Sequence, residues 1–109
     1  MNVYGLPHCS TTKKAVQLLE AKGYTVALID YREQPLRFNE LQTLVARANG
    51  PIEKWFNTSG QAYRDQKEEL LSLPKDEVIQ RLADNPMLIK RPVVVSDAWV
   101  QVGIPKSGY

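Results

Sequence analysis

The sequence predicts an α/β fold with a mixed β-sheet, and three features support that prediction. A β-prone segment, a helical segment and a second β-prone segment succeed one another within residues 2–31, an order typical of a βαβ unit with parallel strands. Helical periodicity then covers about 36–86, and apolar runs after it predict a closing β-hairpin. We therefore expect one domain over residues 1–109, with the helical block as an insertion.

The βαβ unit is predicted from residue type and spacing. Residues 2–4 are β-prone and apolar at alternate places, and the Gly-Leu-Pro sequence at 5–7 is expected to end that strand. Hydroxyl side chains at 10–12 favour a helix start, and Gly23 is expected to stop the helix. Residues 25–31 are rich in β-branched and apolar side chains, which predicts the second strand.

The helical block is predicted to hold three helices. Asn39 is expected to cap the first, whose inward face consists of Leu41, Leu44, Val45 and Ala48. Pro51 suits a first helical turn, residues 57–60 predict a turn or loop, and residues 67–73 predict a short helix. The last helix opens at Pro74, and its inward face consists of Val78, Ile79 and Leu82.

The hairpin consists of predicted strands at 93–95 and 99–102, joined by a turn near Asp97 and Ala98. A helix usually follows such a hairpin and covers the sheet, whereas this sequence ends soon after it, at Tyr109. A trimmed C-terminus is therefore one interpretation of this end of the sequence.

Composition excludes several classes of protein. A formal charge of +2, with Lys and Arg spread along the chain, gives no footprint for direct nucleic-acid binding. We find no charged-then-apolar leader and no apolar run near the ~20 residues of a membrane span. One cysteine and one histidine provide neither an internal disulfide nor a zinc site. We expect a cytoplasmic protein that holds no metal.

The single cysteine, Cys9, lies where the first helix is predicted to begin. The unpaired N–H groups of that helix start, at Ser10, Thr11 and Thr12, carry partial positive charge and should point at the sulfur. Lys13 lies one turn further and adds a cation. These groups are expected to lower the thiol pKa and to bind an anion beside the sulfur.

Simpler interpretations of Cys9 and of its neighbour His8 remain open. A lone cysteine is most often a small buried apolar side chain, but Cys9 follows a proline-containing turn and precedes polar residues, which argues against burial in the core. His8 fits an exposed loop residue at least as well as a catalytic base.

Three segments together resemble a known family. "YGLPHCSTTKKA", "FNTSGQAYR" and "MLIKRPVVV" recur in this order and spacing in the arsenate reductase-like branch of the thioredoxin superfamily. That branch includes glutaredoxin-coupled arsenate reductases, Spx/MgsR-type regulators that bind RNA polymerase, and YffB-like proteins. The resemblance covers nearly the whole chain and implies a thioredoxin-like sheet with an inserted helical block.

The resemblance also implies roles at the site. In such folds the proline before the third strand is usually cis and faces the cysteine, and here that residue is Pro92. In the arsenate reductases the arginine of this Arg-Pro pair contacts the oxyanion, which makes Arg91 the best anion-binding side chain. The alternative for Arg91 is an arginine on a solvated strand end.

Several positions depart from the arsenate reductases. Lys13 stands where they carry an arginine, and it lacks the bidentate guanidinium fork. Asn57 stands near a second arginine position, and residues 103–104 stand near a third. Arg64 is the candidate to substitute for one of them. These departures count against arsenate as the natural substrate.

Many Spx-type regulators carry a Cys-x-x-Cys switch, and Thr12 occupies its second position here. No internal disulfide can therefore form, and an outside thiol must resolve oxidised Cys9. The favoured hypothesis is a single-cysteine thiol oxidoreductase with no bound cofactor, acting on arsenate or a glutathione-containing disulfide. Glutathione is its expected co-substrate, and glutaredoxin or thioredoxin its expected partner. The alternative is a regulator that binds the α-subunit of RNA polymerase without catalysis.

Overall fold

The computed structural model describes residues 1–109, which form two compact units. The sheet unit comprises Met1–Gln34 and Arg91–Tyr109, and the helical unit comprises Pro35–Lys90. In the sheet unit the elements are β1 (Asn2–Gly5), α1 (Ser10–Ala21), β2 (Ala27–Asp30), β3 (Val93–Val95) and β4 (Val100–Val102). In the helical unit they are α2 (Phe38–Ala48), a 3-10 helix (Ile52–Trp55), α3 (Gln61–Ser72), α4 (Lys75–Asp84) and a second 3-10 helix (Pro86–Leu88). The expectation that the two form a single domain stays a prediction.

The sheet has four strands in the order β2-β1-β3-β4. Strand β1 runs parallel to β2, with Gly5 opposite Asp30, and antiparallel to β3, with Val3 opposite Val94. Strands β3 and β4 form the antiparallel hairpin. This confirms the predicted mixed sheet. Because β1 and β2 are parallel, their carboxyl ends lie at the same end of the sheet, and the turn after β1 leads from there to Cys9.

The core of the sheet unit lies between the sheet and α1. Val3, Leu19 and Val94 are fully buried against one another, and each contributes about 1.5–3 kcal/mol of apolar burial. The half-buried side chains around them are Met1, Val16, Val26, Trp99 and Tyr109. Residues 103–109 form no helix, and the Tyr109 ring instead stacks on Trp99 with centroids 6.0 Å apart.

Helix α1 begins immediately after Cys9. The Cys9 N–H donates to the Leu6 carbonyl at 3.0 Å, which closes the turn containing Pro7, and the Cys9 carbonyl accepts the N–H of Lys13 at 3.0 Å. Cys9 itself has extended backbone angles and is the N-cap residue. At the other end Gly23 has φ of +94°, a conformation that suits glycine, and it ends the helix as predicted.

The helical unit buries the predicted apolar faces of α2 and α4. The buried side chains of these two helices are Leu41, Leu44, Val45, Val78, Ile79 and Leu82, while Ala48 is half-buried. Backbone hydrogen bonds join Asn57 N–H to Leu88 O and Lys90 N–H to Trp55 O, both at 2.8 Å. They flank a short antiparallel bridge between Phe56 and Ile89.

The prediction for α3 was wrong in its extent. The helix covers Gln61–Ser72 rather than 67–73. Its sequence is strongly polar, and its buried side chains, Tyr63 and Leu70, are two turns apart. A side-chain hydrogen bond from Gln61 Nε2 to Asp65 Oδ1 at 2.6 Å supports the first turn. Such i, i+4 pairs stabilise helices without producing a hydrophobic period.

Other differences concern element ends. Helix α2 begins at Phe38, with Arg37 as N-cap residue and its N–H bonded to Glu40 Oε1 at 3.1 Å, so Asn39 lies within the helix. Pro51 immediately precedes the first 3-10 helix. Strand β1 extends to Gly5 because the chain continues pairing with Asp30 there. Strands β2 and β4 are shorter than predicted because their outer residues have no ladder partner. No helix of the chain is long and apolar enough to cross a membrane.

Candidate active site

The Cys9 thiol lies half-buried at the N-terminus of α1. Burial raises its pKa, but hydrogen-bonding groups around the sulfur more than offset burial and lower the pKa from 9.0 to about 7. These groups are the backbone N–H and hydroxyl of Thr12, the backbone N–H of Thr11 and the guanidinium of Arg91. All of them stabilise the thiolate, which is the nucleophilic form of cysteine.

Arg91 reaches the sulfur from the segment immediately before β3, the strand that pairs with β1. The Arg91–Pro92 peptide bond is cis, as the resemblance implied, and Pro92 is buried. The Arg91 guanidinium is half-buried and also donates from Nη1 to the hydroxyl of Tyr31 at 3.1 Å. Tyr31 follows the last residue of β2 and is fully buried. The Arg91 cation therefore lies beside the thiolate and is hydrogen-bonded to the tyrosine that follows β2.

Thr12 is the buried polar residue of the site. Its side chain is fully buried, and its Oγ1 accepts the N–H of Leu6 at 3.4 Å while the hydroxyl interacts with the Cys9 sulfur. Thr12 packs directly against the backbone of Gly5, where an added Cβ would lie 2.6 Å from Thr12 Oγ1. The absence of a side chain at Gly5 thus lets α1 approach the end of β1.

Replacing Gly5 with alanine is expected to lower the free energy of unfolding by about 1–3 kcal/mol, because the new Cβ overlaps a buried side chain. Urea unfolding monitored by circular dichroism measures the change. Gly50→Ala is the matched control, since a Cβ there meets only Lys54 Cδ at an ordinary 3.6 Å. Equal stability of the two variants would contradict the tight packing of Thr12 against Gly5.

The remaining predicted residues of the sheet unit lie around the helix start. Ser10, Thr11 and Lys13 are exposed on the first turns of α1, and His8 is exposed on the turn before it. The Lys13 ammonium is not among the principal groups that lower the pKa of Cys9. The roles of these four residues in binding or proton transfer stay predictions.

Asn57 and Arg64 belong to the helical unit. Asn57 is half-buried in a turn in which its carbonyl accepts the N–H of Gly60 at 3.1 Å and its Oδ1 accepts the hydroxyl of Ser59 at 3.3 Å. These contacts give Asn57 a structural role in that turn. Arg64 is exposed on the first turn of α3. Participation of either residue in anion binding stays a prediction.

Tyr31 is the site residue that sequence reasoning missed. The signal was present, because Tyr31 ends the second predicted strand and parallel neighbours bring their carboxyl ends to the same edge of a sheet. Gly5 opposite Asp30 in the β1–β2 register puts Tyr31 beside the turn that leads to Cys9. A buried tyrosine there needs a hydrogen-bond partner, and Arg91 supplies one.

The fold and the site together define a class of protein. A four-stranded mixed sheet of thioredoxin-like order carries a single thiol at the start of its first helix, beside an arginine and a cis-proline that immediately precede the third strand. The class is therefore that of thioredoxin-like proteins with one cysteine at the start of the first helix.

The chain belongs to the ArsC family, whose model matches residues 4–109. It is 36% identical over 111 aligned residues to the uncharacterized protein YusI of Bacillus subtilis (strain 168), with 100% of this chain and 94% of the relative covered. It is 27% identical to the global transcriptional regulator Spx 2 of Oceanobacillus iheyensis, with 94% and 76% covered.

Solved structures agree with this assignment. An ArsC-family related protein from Bacteroides fragilis superposes with a TM-score of 0.90 at 30% identity, covering 97% of this chain and 91% of that protein. An arsenate reductase from Vibrio cholerae superposes with a TM-score of 0.80 at 26% identity, covering 94% and 89%. The predicted thioredoxin-like fold and family are thus confirmed.

Proposed function

We propose that this protein is a single-cysteine thiol oxidoreductase, in which the Cys9 thiolate attacks a glutathione-containing disulfide or arsenate and an external thiol regenerates it. The observation that carries the proposal is the position of the Cys9 thiol at the start of α1, where the Thr11 and Thr12 N–H groups and Arg91 surround the sulfur and lower its pKa to about 7. Such a thiol is about half ionised in a neutral cytoplasm. The chain has no second cysteine, so the resolving thiol comes from outside, and glutathione is the expected co-substrate.

For a disulfide substrate the steps balance without any bound cofactor. The Cys9 thiolate attacks the glutathione sulfur of a mixed disulfide, the S–S bond breaks, and the substrate sulfur leaves and takes up a proton. Cys9 then carries glutathione as a mixed disulfide. A second glutathione thiolate attacks the glutathione sulfur of this adduct, which releases the Cys9 thiolate and glutathione disulfide. Glutaredoxin or thioredoxin supplies the same two electrons from its own thiols.

For arsenate the same sulfur acts on an oxyanion. The Cys9 thiolate attacks As(V), and one oxygen leaves as water after taking up two protons. Glutathione then attacks the Cys9 sulfur, the As–S bonding electrons stay on arsenic, and arsenite leaves while Cys9 becomes a glutathione mixed disulfide. A second glutathione clears that adduct. Two thiols thus supply the two electrons. Arg91 and the free N–H groups at the start of α1 are the anion-holding groups.

The pH dependence of Cys9 alkylation tests the nucleophile directly. The rate with iodoacetamide should rise with pH through a midpoint near 7 and level off above about pH 8, because only the thiolate reacts. Relative to a thiol of pKa 9.0, ionisation at pH 7 is ~50-fold greater, and lower intrinsic nucleophilicity reduces the net advantage to ~5–8-fold. A midpoint near that of free cysteine would overturn the proposed function.

Turnover decides between the two substrate classes. A coupled assay with glutathione and glutathione reductase is run on a glutathionylated peptide and, separately, on arsenate with added glutaredoxin. Cys9→Ser should abolish every activity that the proposal claims, and Ser107→Ala, at an exposed residue outside the site, should keep it. Activity on the disulfide alone would remove the arsenate version, which the Lys13 and Asn57 departures already disfavour. Equal rates for Cys9→Ser and the parent would contradict both versions.

The competing proposal is a regulator without catalysis, and similarity to a protein named as a transcriptional regulator favours it. Its partner would be the α-subunit of RNA polymerase. Retention of this chain on the immobilised C-terminal domain of that subunit at low salt, together with no turnover, would support the regulator. Lack of retention would remove it. The low pKa of Cys9 favours the enzyme, because a binding surface gains nothing from an ionised thiol.

A further inference from the structure

We propose that Tyr31 is a positioning residue that holds the Arg91 guanidinium against the reactive sulfur of Cys9. This inference rests on the proposed function, because it assigns the device that keeps the thiolate site ready for reaction. It starts from two observations, the 3.1 Å hydrogen bond from Arg91 Nη1 to the Tyr31 hydroxyl and the complete burial of Tyr31.

The burial of Tyr31 restricts the position of its hydroxyl group. The residue follows β2 directly, and the parallel register of Gly5 with Asp30 sets its backbone beside the end of β1. A buried aromatic ring has few alternative rotamers, so its hydroxyl oxygen cannot follow a moving partner. Burial also raises the pKa of Tyr31, and the hydroxyl therefore stays neutral and accepts the Arg91 hydrogen bond at physiological pH.

Arg91 needs such a partner. An arginine side chain has several rotatable bonds, and holding it in one geometry costs conformational entropy. The guanidinium is planar, so fixing Nη1 on Tyr31 restricts the directions of its remaining N–H groups. With this restriction one of them can remain aimed at the Cys9 sulfur, an interaction that contributes to the low pKa of the thiol.

The phenol also differs from the other groups near the sulfur. Thr11 and Thr12 belong to α1, which begins directly after Cys9, whereas Tyr31 follows β2 and contacts the site through its hydrogen bond with Arg91. Its removal should therefore leave the helix-start contribution to thiolate stability intact and weaken only the arginine contribution.

Tyr31→Phe tests this role because it removes the hydroxyl and keeps the ring. We expect the Cys9 pKa from alkylation rates to rise by about half a unit, which lowers the thiolate fraction about threefold at pH 6 and, because a thiolate of higher pKa is more nucleophilic, slows alkylation about twofold. The matched control is Tyr109→Phe, which removes a hydroxyl bonded to Gly103 O at 2.8 Å in the same unit. That variant should keep the parent pKa. An unchanged pH profile in Tyr31→Phe would overturn the inference.

A double-mutant cycle separates positioning from a general structural effect. Tyr31→Phe should have no further effect on the Cys9 pKa when Arg91 is already methionine, because the hydroxyl acts through that side chain. Equal shifts in both backgrounds would contradict the inference even if the protein were less stable. If the parent itself titrates as a free cysteine, the proposed function fails. If the parent titrates near 7 and Tyr31→Phe does too, only the role of Tyr31 fails.

Discussion

Arg91→Met is expected to raise the pKa of Cys9 and to slow disulfide or arsenate turnover by about 10–150-fold. The estimate follows from the loss of a hydrogen bond between a cation and the thiolate, worth about 1.5–3 kcal/mol. Methionine keeps a long unbranched side chain against the half-buried surroundings of Arg91, so packing changes little. Alkylation rates against pH give the pKa, and the coupled glutathione assay gives the turnover.

Two further variants make the result specific. Arg91→Lys keeps a charge but has no fork that serves Tyr31 and Cys9 together, so we expect an intermediate pKa and incomplete recovery of turnover. Arg32→Met is the control for loss of an arginine in the same unit, because Arg32 pairs with Asp30 at 3.1 Å with its side chain 52% exposed. If Arg91→Met kept the parent pH profile while Arg32→Met changed it, the assignment of Arg91 would be wrong.

The thiol site was predictable because its determinants are local. A strand, a proline-containing turn and a helix start follow one another within residues 2–12, and this order alone puts a cysteine at the positive end of a helix. The contribution of Thr12 was only partly predictable. Its backbone N–H follows from the helix start, but the burial of its hydroxyl depends on its packing against Gly5, a tertiary contact.

The cation beside the Cys9 sulfur could not be predicted from neighbouring residues in the sequence. Lys13 is one helical turn from Cys9 in the sequence, yet it is exposed, and Arg91 supplies the cationic hydrogen bond to the sulfur from 82 residues away. Only the resemblance to a family motif indicated Arg91, since no periodicity links a third strand to a first helix. Tyr31 required the register of β2 on β1, which the sequence does not specify by itself.

In the helical unit, hydrophobic periodicity predicted two of the three α-helices correctly and failed for the extent of the third. Helices α2 and α4 were predicted with their buried faces because each carries three apolar side chains at helical spacing. Helix α3 buries only Tyr63 and Leu70, so its first turns have no amphipathic period to detect. Its extent depends on side-chain pairs such as Gln61 with Asp65 and on packing against the second 3-10 helix, neither of which a hydrophobic pattern contains.

Thr12→Cys is expected to change the fate of oxidised Cys9 completely. With glutathione disulfide the parent should accumulate a Cys9–glutathione adduct, because no other thiol in the chain can displace the glutathione. In the variant the introduced thiol should attack the Cys9 sulfur, expel glutathione and form an internal disulfide. The Thr12 hydroxyl already interacts with the Cys9 sulfur, and a tethered thiol acts at an effective concentration of ~mM or above.

Intact-mass spectrometry after oxidation distinguishes these products, since the parent gains one glutathione while the variant retains none and loses two hydrogens. Thr11→Cys is the matched control, because residue 11 is exposed whereas residue 12 is fully buried beside the sulfur. That control should keep glutathione. A glutathione adduct on Thr12→Cys as abundant as on the parent would mean that residue 12 does not face the Cys9 sulfur. An internal disulfide in Thr12→Cys would instead support the expected role of residue 12. The parent would then depend on an external thiol because it has threonine, and not cysteine, at the second position of the Cys-x-x-Cys spacing.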